Sequence, residues 1–102
     1  MTAVKYTKKD ISRRVASRVG KRLNTTHEVV SETFDVIREM LSEDSPSIKI
    51  EVRNFGTFSI KPTKAKPRAR NPRTNEEIYV PPHRKSHFKP GKLLKTELQK
   101  PL

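Results

Sequence analysis

A chain of 102 residues with 31% hydrophobic residues and no cysteine or tryptophan is sized for one domain with a small private core. Its 23 Lys plus Arg against 11 Asp plus Glu give a formal net charge of +12, so a polyanion is the default partner: basic side chains gain free energy by releasing counterions condensed on phosphates. The composition excludes a disulfide frame, a thiolate metal site and a thiol nucleophile. No apolar run approaches the roughly 18 residues of a membrane helix, and MTAVKYTKKDISRR lacks the apolar stretch of a signal peptide, which predicts a soluble cytoplasmic protein with no membrane partner.

The charge is distributed in blocks. Residues 1–22 hold eight basic groups and one acid, residues 23–52 two basic groups and seven acids, and residues 53–102 thirteen basic groups and three acids. An acidic segment between two basic ones points to a fold that places the charges, rather than to a uniform basic tail.

In chain order, Thr7 and Asp10 predict a capping box. Ile11, Val15, Ala16, Val19 and Leu23 then recur at helical spacing, with Arg13, Arg14, Arg18, Lys21 and Arg22 on the other face. Thr25 and Glu28 read as a second capping box before a wider apolar stripe of Val29, Val30, Thr33, Phe34, Ile37, Met40 and Leu41. Asn24-Thr25 is the short connection expected of an antiparallel helix pair, and Ser45-Pro46 closes the second helix.

Beyond Pro46 the period changes to two. Ile48, Ile50 and Val52 alternate with charged residues, Asn54-Phe55-Gly56 reads as a turn, and Phe58 and Ile60 resume on a returning strand. This predicts a β-hairpin over 47–60 whose apolar face can cover the helical base of residues 1–46. From Lys61 apolar residues nearly vanish until Ile78, Tyr79 and Val80, so residues 61–82 must project. Read as two limbs of about nine residues joined at Asn71 to Asn75, the projection reaches roughly 30 Å, enough to lie along a DNA groove. Residues 83–102 supply a strand end and, after Pro90-Gly91, a short helix with Leu93, Leu94 and Leu98. The thin sheet and over-wide stripe of the second helix predict an obligate dimer.

Functional chemistry concentrates in Arg70-Asn71-Pro72-Arg73-Thr74-Asn75. A proline at the tip of a two-stranded arm breaks no ladder bond and presents a rigid apolar wedge. Arginines on either side suit the negative potential of a minor groove. Asn-Pro also simply makes turns; the run Lys61, Lys64, Lys66, Arg68, Arg70 and Arg73 tips the balance toward DNA.

With these motifs the chain resembles the HU/IHF family of histone-like bacterial DNA-bending proteins. The likeness runs through Thr7-Lys8-Lys9-Asp10-Ile11, Asn54-Phe55-Gly56-Thr57-Phe58, Arg70-Asn71-Pro72-Arg73-Thr74 and Phe88-Lys89-Pro90-Gly91-Lys92-Leu93-Leu94-Lys95. It implies an α+β fold: an intertwined dimer with a helical base, an antiparallel sheet and two long β-arms that embrace DNA, with Pro72 intercalating. The family usually carries glycine where this chain has Ala69 and Asn75, and its first helix is less rich in arginine.

The resulting expectation is one HU/IHF-like domain over 1–102 that binds duplex DNA largely without sequence specificity, bends it and compacts the chromosome in the nucleoid. The residues expected to meet DNA are Lys5, Lys8, Arg53, Lys61, Lys64, Lys66, Arg68, Arg70, Asn71, Pro72, Arg73, Arg84, Lys85, Lys89 and Lys92, with Lys9, Arg13 and Arg14 extending the footprint. Phe34, Ile37, Phe55, Phe58 and Phe88 are expected in the dimer core, Phe55 because the Gly56 turn tucks it back. A homodimer is expected, with a paralogous partner as the alternative. Site-specific bending of the integration-host-factor type and binding of structured RNA are the rival functions. No cofactor or metal is expected: His83 and His87 are four apart but lie beside Pro81-Pro82 and lack a third ligand. No nucleophile, base and orienting group come together, which predicts no catalysis.

Overall fold

The computed structural model describes residues 3–102, with side chains for all of these except residues 66–69. The chain forms two compact units, residues 1–42 and 43–102.

The first unit is a helix pair. Helix α1 (Lys8–Val19) starts at the expected capping box, where the Thr7 N–H donates to Asp10 Oδ2 at 2.8 Å and the Asp10 N–H donates to Thr7 Oγ1 at 3.4 Å. It ends at Gly20, whose φ of 67° sends the chain out of the helix. Helix α2 (Leu23–Leu41) therefore begins earlier than expected. Arg22 is its N-cap and makes no side-chain cap, so Thr25 lies in the first turn and the second capping box does not form. The reversal falls on Lys21-Arg22, and Leu23 belongs to α2. The helices meet through small residues: Ser12 and Ala16 of α1, and Thr26 and Val30 of α2, are buried. Ser12 Oγ lies 3.0 Å from the Lys8 carbonyl and 2.7 Å from His27 Nδ1, so its polar atom is satisfied where water cannot reach.

The second unit opens with strand β1 (Ile48–Val52), which pairs antiparallel with β2 (Gly56–Pro62), Ile50 opposite Phe58 and Val52 opposite Gly56. The expected turn joins them, with Asn54 at φ 66° and the Phe55 N–H donating to the Val52 carbonyl at 3.1 Å. The projection carries β3 (Lys66–Arg70) and β4 (Glu77–Val80), a separate two-stranded sheet. The limbs are thus not continuous, because the prolines at 62, 81 and 82 cannot donate to a ladder; a register shift also falls between Lys66 and Ala69, a span containing Pro67.

Strand β5 (Arg84–Pro90) returns along β2, giving the sheet order β1-β2-β5, and helix α3 (Lys92–Leu98) follows. β5 is a full strand rather than the short end expected. Its residues are mostly polar, so the ladder to β2 holds it more than an apolar face does. Three rings gather on this sheet: Phe58 and Phe88, directly paired across strands, have centroids 4.8 Å apart, and Phe55 lies 5.2 Å from Phe88.

Candidate nucleic-acid interface

At the arm tip, two hydrogen bonds close the loop. The Asn71 N–H donates to the Glu76 carbonyl at 2.9 Å and the Asn75 N–H to the Asn71 carbonyl at 2.7 Å. Asn75 takes a φ of 60°, the conformation that makes asparagine an acceptable stand-in for glycine. Asn71 Oδ1 accepts from the Arg73 N–H at 3.0 Å, so the Asn71 side chain shapes the turn. Pro72, Arg73 and Thr74 are left exposed at its apex. The Asn75 side chain also orients a guanidinium: Arg70 Nη1 donates to Asn75 Oδ1 at 3.2 Å, and Arg70 Nη2 lies 3.8 Å from Glu77 Oε1. Sequence reasoning did not find that link, which depends on the turn register.

The basic residues expected at the interface separate into groups. Arg53, Lys61, Lys64, Lys85, Lys89 and Lys92 are exposed along the sheet, the arm base and the start of α3. Among the described residues, ion pairs engage only Arg13, Arg38, Arg70 and Lys100, so these six cations and Arg73 have no carboxylate partner. Lys61 and Lys85 are directly opposite each other in the β2–β5 ladder. Like charges across a ladder repel, and an anion between them relieves the repulsion. Arg84 is placed differently: its Nη1 donates to the Glu43 carbonyl at 2.6 Å and the Ser45 carbonyl at 2.9 Å, tying β5 to the segment before β1. Lys66 and Arg68 lie outside the described side chains.

In the helical unit Lys5, Lys8 and Lys9 are exposed around the start of α1. Arg13 pairs with Asp10 at 3.3 Å, and Arg14 stacks over the Tyr6 ring at 4.8 Å from its centroid. The Thr7 backbone and side-chain hydrogen bonds, with Arg13 nearby, hold the Asp10 carboxyl below its ordinary pKa. Of the residues expected in a dimer core, Phe34 and Phe55 are exposed, at 43% and 44%, while Ile37, Phe58 and Phe88 are half-buried. His83 precedes β5 and His87 lies within it, on extended backbone. Among the described residues no group of three metal-ligating side chains gathers, and no helix is long and apolar enough to cross a membrane.

The family model described as bacterial DNA-binding protein matches residues 6–99. The chain is 33% identical over 93 residues to integration host factor subunit alpha of Hahella chejuensis, covering 91% of this chain and 89% of that one. It is 36% identical over 92 residues to the same subunit of Anaeromyxobacter sp. strain Fw109-5, covering 90% and 89%. Among solved structures it resembles Anabaena HU in a cocrystal with DNA, at a TM-score of 0.79 and 27% identity, covering 94% of this chain and all of that one.

Proposed function

The chain belongs to the bacterial DNA-binding protein family that includes HU and integration host factor, and we propose that it is an architectural protein that binds duplex DNA through the minor groove and bends it. The observation that carries this reading is the exposed Pro72 wedge at the apex of a two-stranded arm whose base bears cations without carboxylate partners. Arg53, Lys61, Lys64, Lys85, Lys89, Lys92 and Arg73 neutralise phosphates, together with Lys66 and Arg68 of β3 and with Lys5 and Lys8 beside α1. Arg70 also meets a phosphate while it and Asn71 hold the tip in shape, and Pro72 enters between base pairs. Arg84 serves the sheet first, through its bonds to Glu43 and Ser45, and reaches DNA with its remaining N–H groups.

Affinity then comes from phosphate neutralisation and DNA deformability. Bending a site costs on the order of 1 to 6 kcal/mol, offset by the cationic contacts that bent DNA permits. With the arm in the minor groove rather than a helix in the major groove, binding with little sequence preference is favoured, as is a role in compacting the chromosome within the nucleoid. The working form is a homodimer; the exposed Phe34 and Phe55 supply the apolar surface that a second copy covers. Neither a cofactor nor catalysis is part of this role.

Site-specific bending is the second reading, favoured by the likeness to integration host factor alpha subunits. Binding to two unrelated duplexes of about 35 base pairs, titrated with salt, separates the two. Similar affinities and equal steep slopes of log affinity against log salt support the general bender. A preference of 10³-fold or more for one sequence supports the specific one, and no binding to either duplex overturns the general bender and points to structured RNA or to a specific site that neither duplex carries.

A further inference from the structure

The two limbs of the arm change how they are joined between residues 63 and 83. The β2–β5 ladder runs out at Pro62 opposite Arg84, and the β3–β4 ladder begins at Lys66 opposite Val80. In the gap Lys64 and Ala65 run beside Pro81 and Pro82, which have no N–H to donate, so a ladder cannot close there.

Thr63 and His83 make the last bonds before the gap. The Thr63 N–H donates to the His83 carbonyl at 2.7 Å, and the Thr63 hydroxyl donates to the same oxygen at 3.0 Å. In return the His83 N–H donates to Thr63 Oγ1 at 3.2 Å, so a side-chain oxygen stands where a ladder carbonyl belongs. The imidazole folds back on the same point: Nδ1 lies 3.1 Å from the Pro81 carbonyl and 3.1 Å from Thr63 Oγ1. The carbonyl can only accept, so Nδ1 carries the proton in the tautomer that satisfies it. One residue further toward the base, Arg84 is tied to Glu43 and Ser45.

We propose that Thr63 and His83 are positioning residues for DNA bending: a clasp that fixes the arm to the sheet at its base and, through the His83 Nδ1 bond to the Pro81 carbonyl, braces the unladdered Pro81-Pro82 stretch, which is otherwise the pivot. The direction in which Pro72 meets the duplex is set at this clasp, nine residues from Pro72 along one limb and eleven along the other. This rests on the DNA-bending reading above. His83 is exposed and Thr63 half-buried, with the hydrogen bonds between them open to solvent, so water replaces those bonds when one is removed. Stability then changes little while the directional constraint is lost.

The test uses the full chain with Thr63→Val, which removes only the hydroxyl, and Thr63→Ser, which keeps it. Backbone order parameters of Arg73, Thr74 and Asn75 in the free protein are compared with those of β5, and end-to-end distances of a bound, end-labelled duplex are recorded alongside. In T63V the tip order parameters fall toward the flexible range below about 0.6 while β5 keeps its values, and the duplex distances broaden; T63S restores both. Unchanged tip order in T63V, or a T63S that behaves like T63V, overturns the proposal. Should T63V fail to fold, the double variant Pro81→Ala/Pro82→Ala decides: the restored N–H groups let the ladder close and the tip stiffen, and a tip no stiffer than wild type overturns the pivot. A wild-type protein that binds without shortening the duplex removes the bending reading, whereas the free-protein order parameters still judge the clasp.

Discussion

Gly56 is the position where a single atom decides the most. A Cβ there would lie 2.6 Å from the Lys89 carbonyl oxygen and 2.7 Å from the Phe88 ring, both held in place by the β2–β5 ladder and the ring cluster. Gly56→Ala should therefore destabilise the protein by about 1 to 3 kcal/mol, read as a lower denaturant midpoint at unchanged slope; an unchanged midpoint contradicts the packing described. At the arm tip, Arg70 and Arg73 differ in restraint, since only Arg70 is held by Asn75 and Glu77. Replacing either with alanine should weaken binding on all sequences alike and reduce the salt slope by about one. A loss confined to one sequence would mean base reading instead of phosphate contact.

Elements were legible in the sequence where the signal is local and contiguous. Thr7 and Asp10, three residues apart, announce α1, and Asn54-Phe55-Gly56 announces the β1–β2 turn. The start of α2 was misplaced because Arg22 caps by backbone geometry alone, while Thr25 and Glu28 imitate a box inside the first turn. β5 left little apolar alternation to read, and the arm's five prolines were visible without revealing where pairing stops and resumes. The Thr63–His83 clasp joins residues twenty apart, which only the strand register brings together. The α1 cap also makes a pH prediction. Because the folded Asp10 carboxyl titrates below its usual 3.8, its stabilisation is complete above that value and is lost as pH falls through the lowered one. The Thr7 amide resonance should shift on acidification below about pH 4 as the carboxylate is protonated. In Asp10→Asn this acid-dependent shift should vanish; a variant that retains it would place the titration elsewhere.

The described residues bury few large apolar side chains: Ala16, Val30 and Ile60 are the buried hydrophobic residues, while Val29, Phe34, Val36, Met40 and Phe55 stay exposed. If a second copy covers that surface, as proposed, the melting temperature should rise with protein concentration, and Phe55→Ala should favour the monomer in sedimentation analysis. A concentration-independent melting temperature with a monomeric mass would contradict it. Bending by the Pro72 wedge is the central claim, and it is tested most directly by the end-to-end distance of a labelled duplex of about 35 base pairs, bound by wild type and by Pro72→Ala at low salt. The expected result is a marked shortening by wild type and, with Pro72→Ala, recovery of most of the free-duplex distance at nearly unchanged affinity. Equal shortening by both proteins, or wild-type binding with no shortening at all, would contradict it.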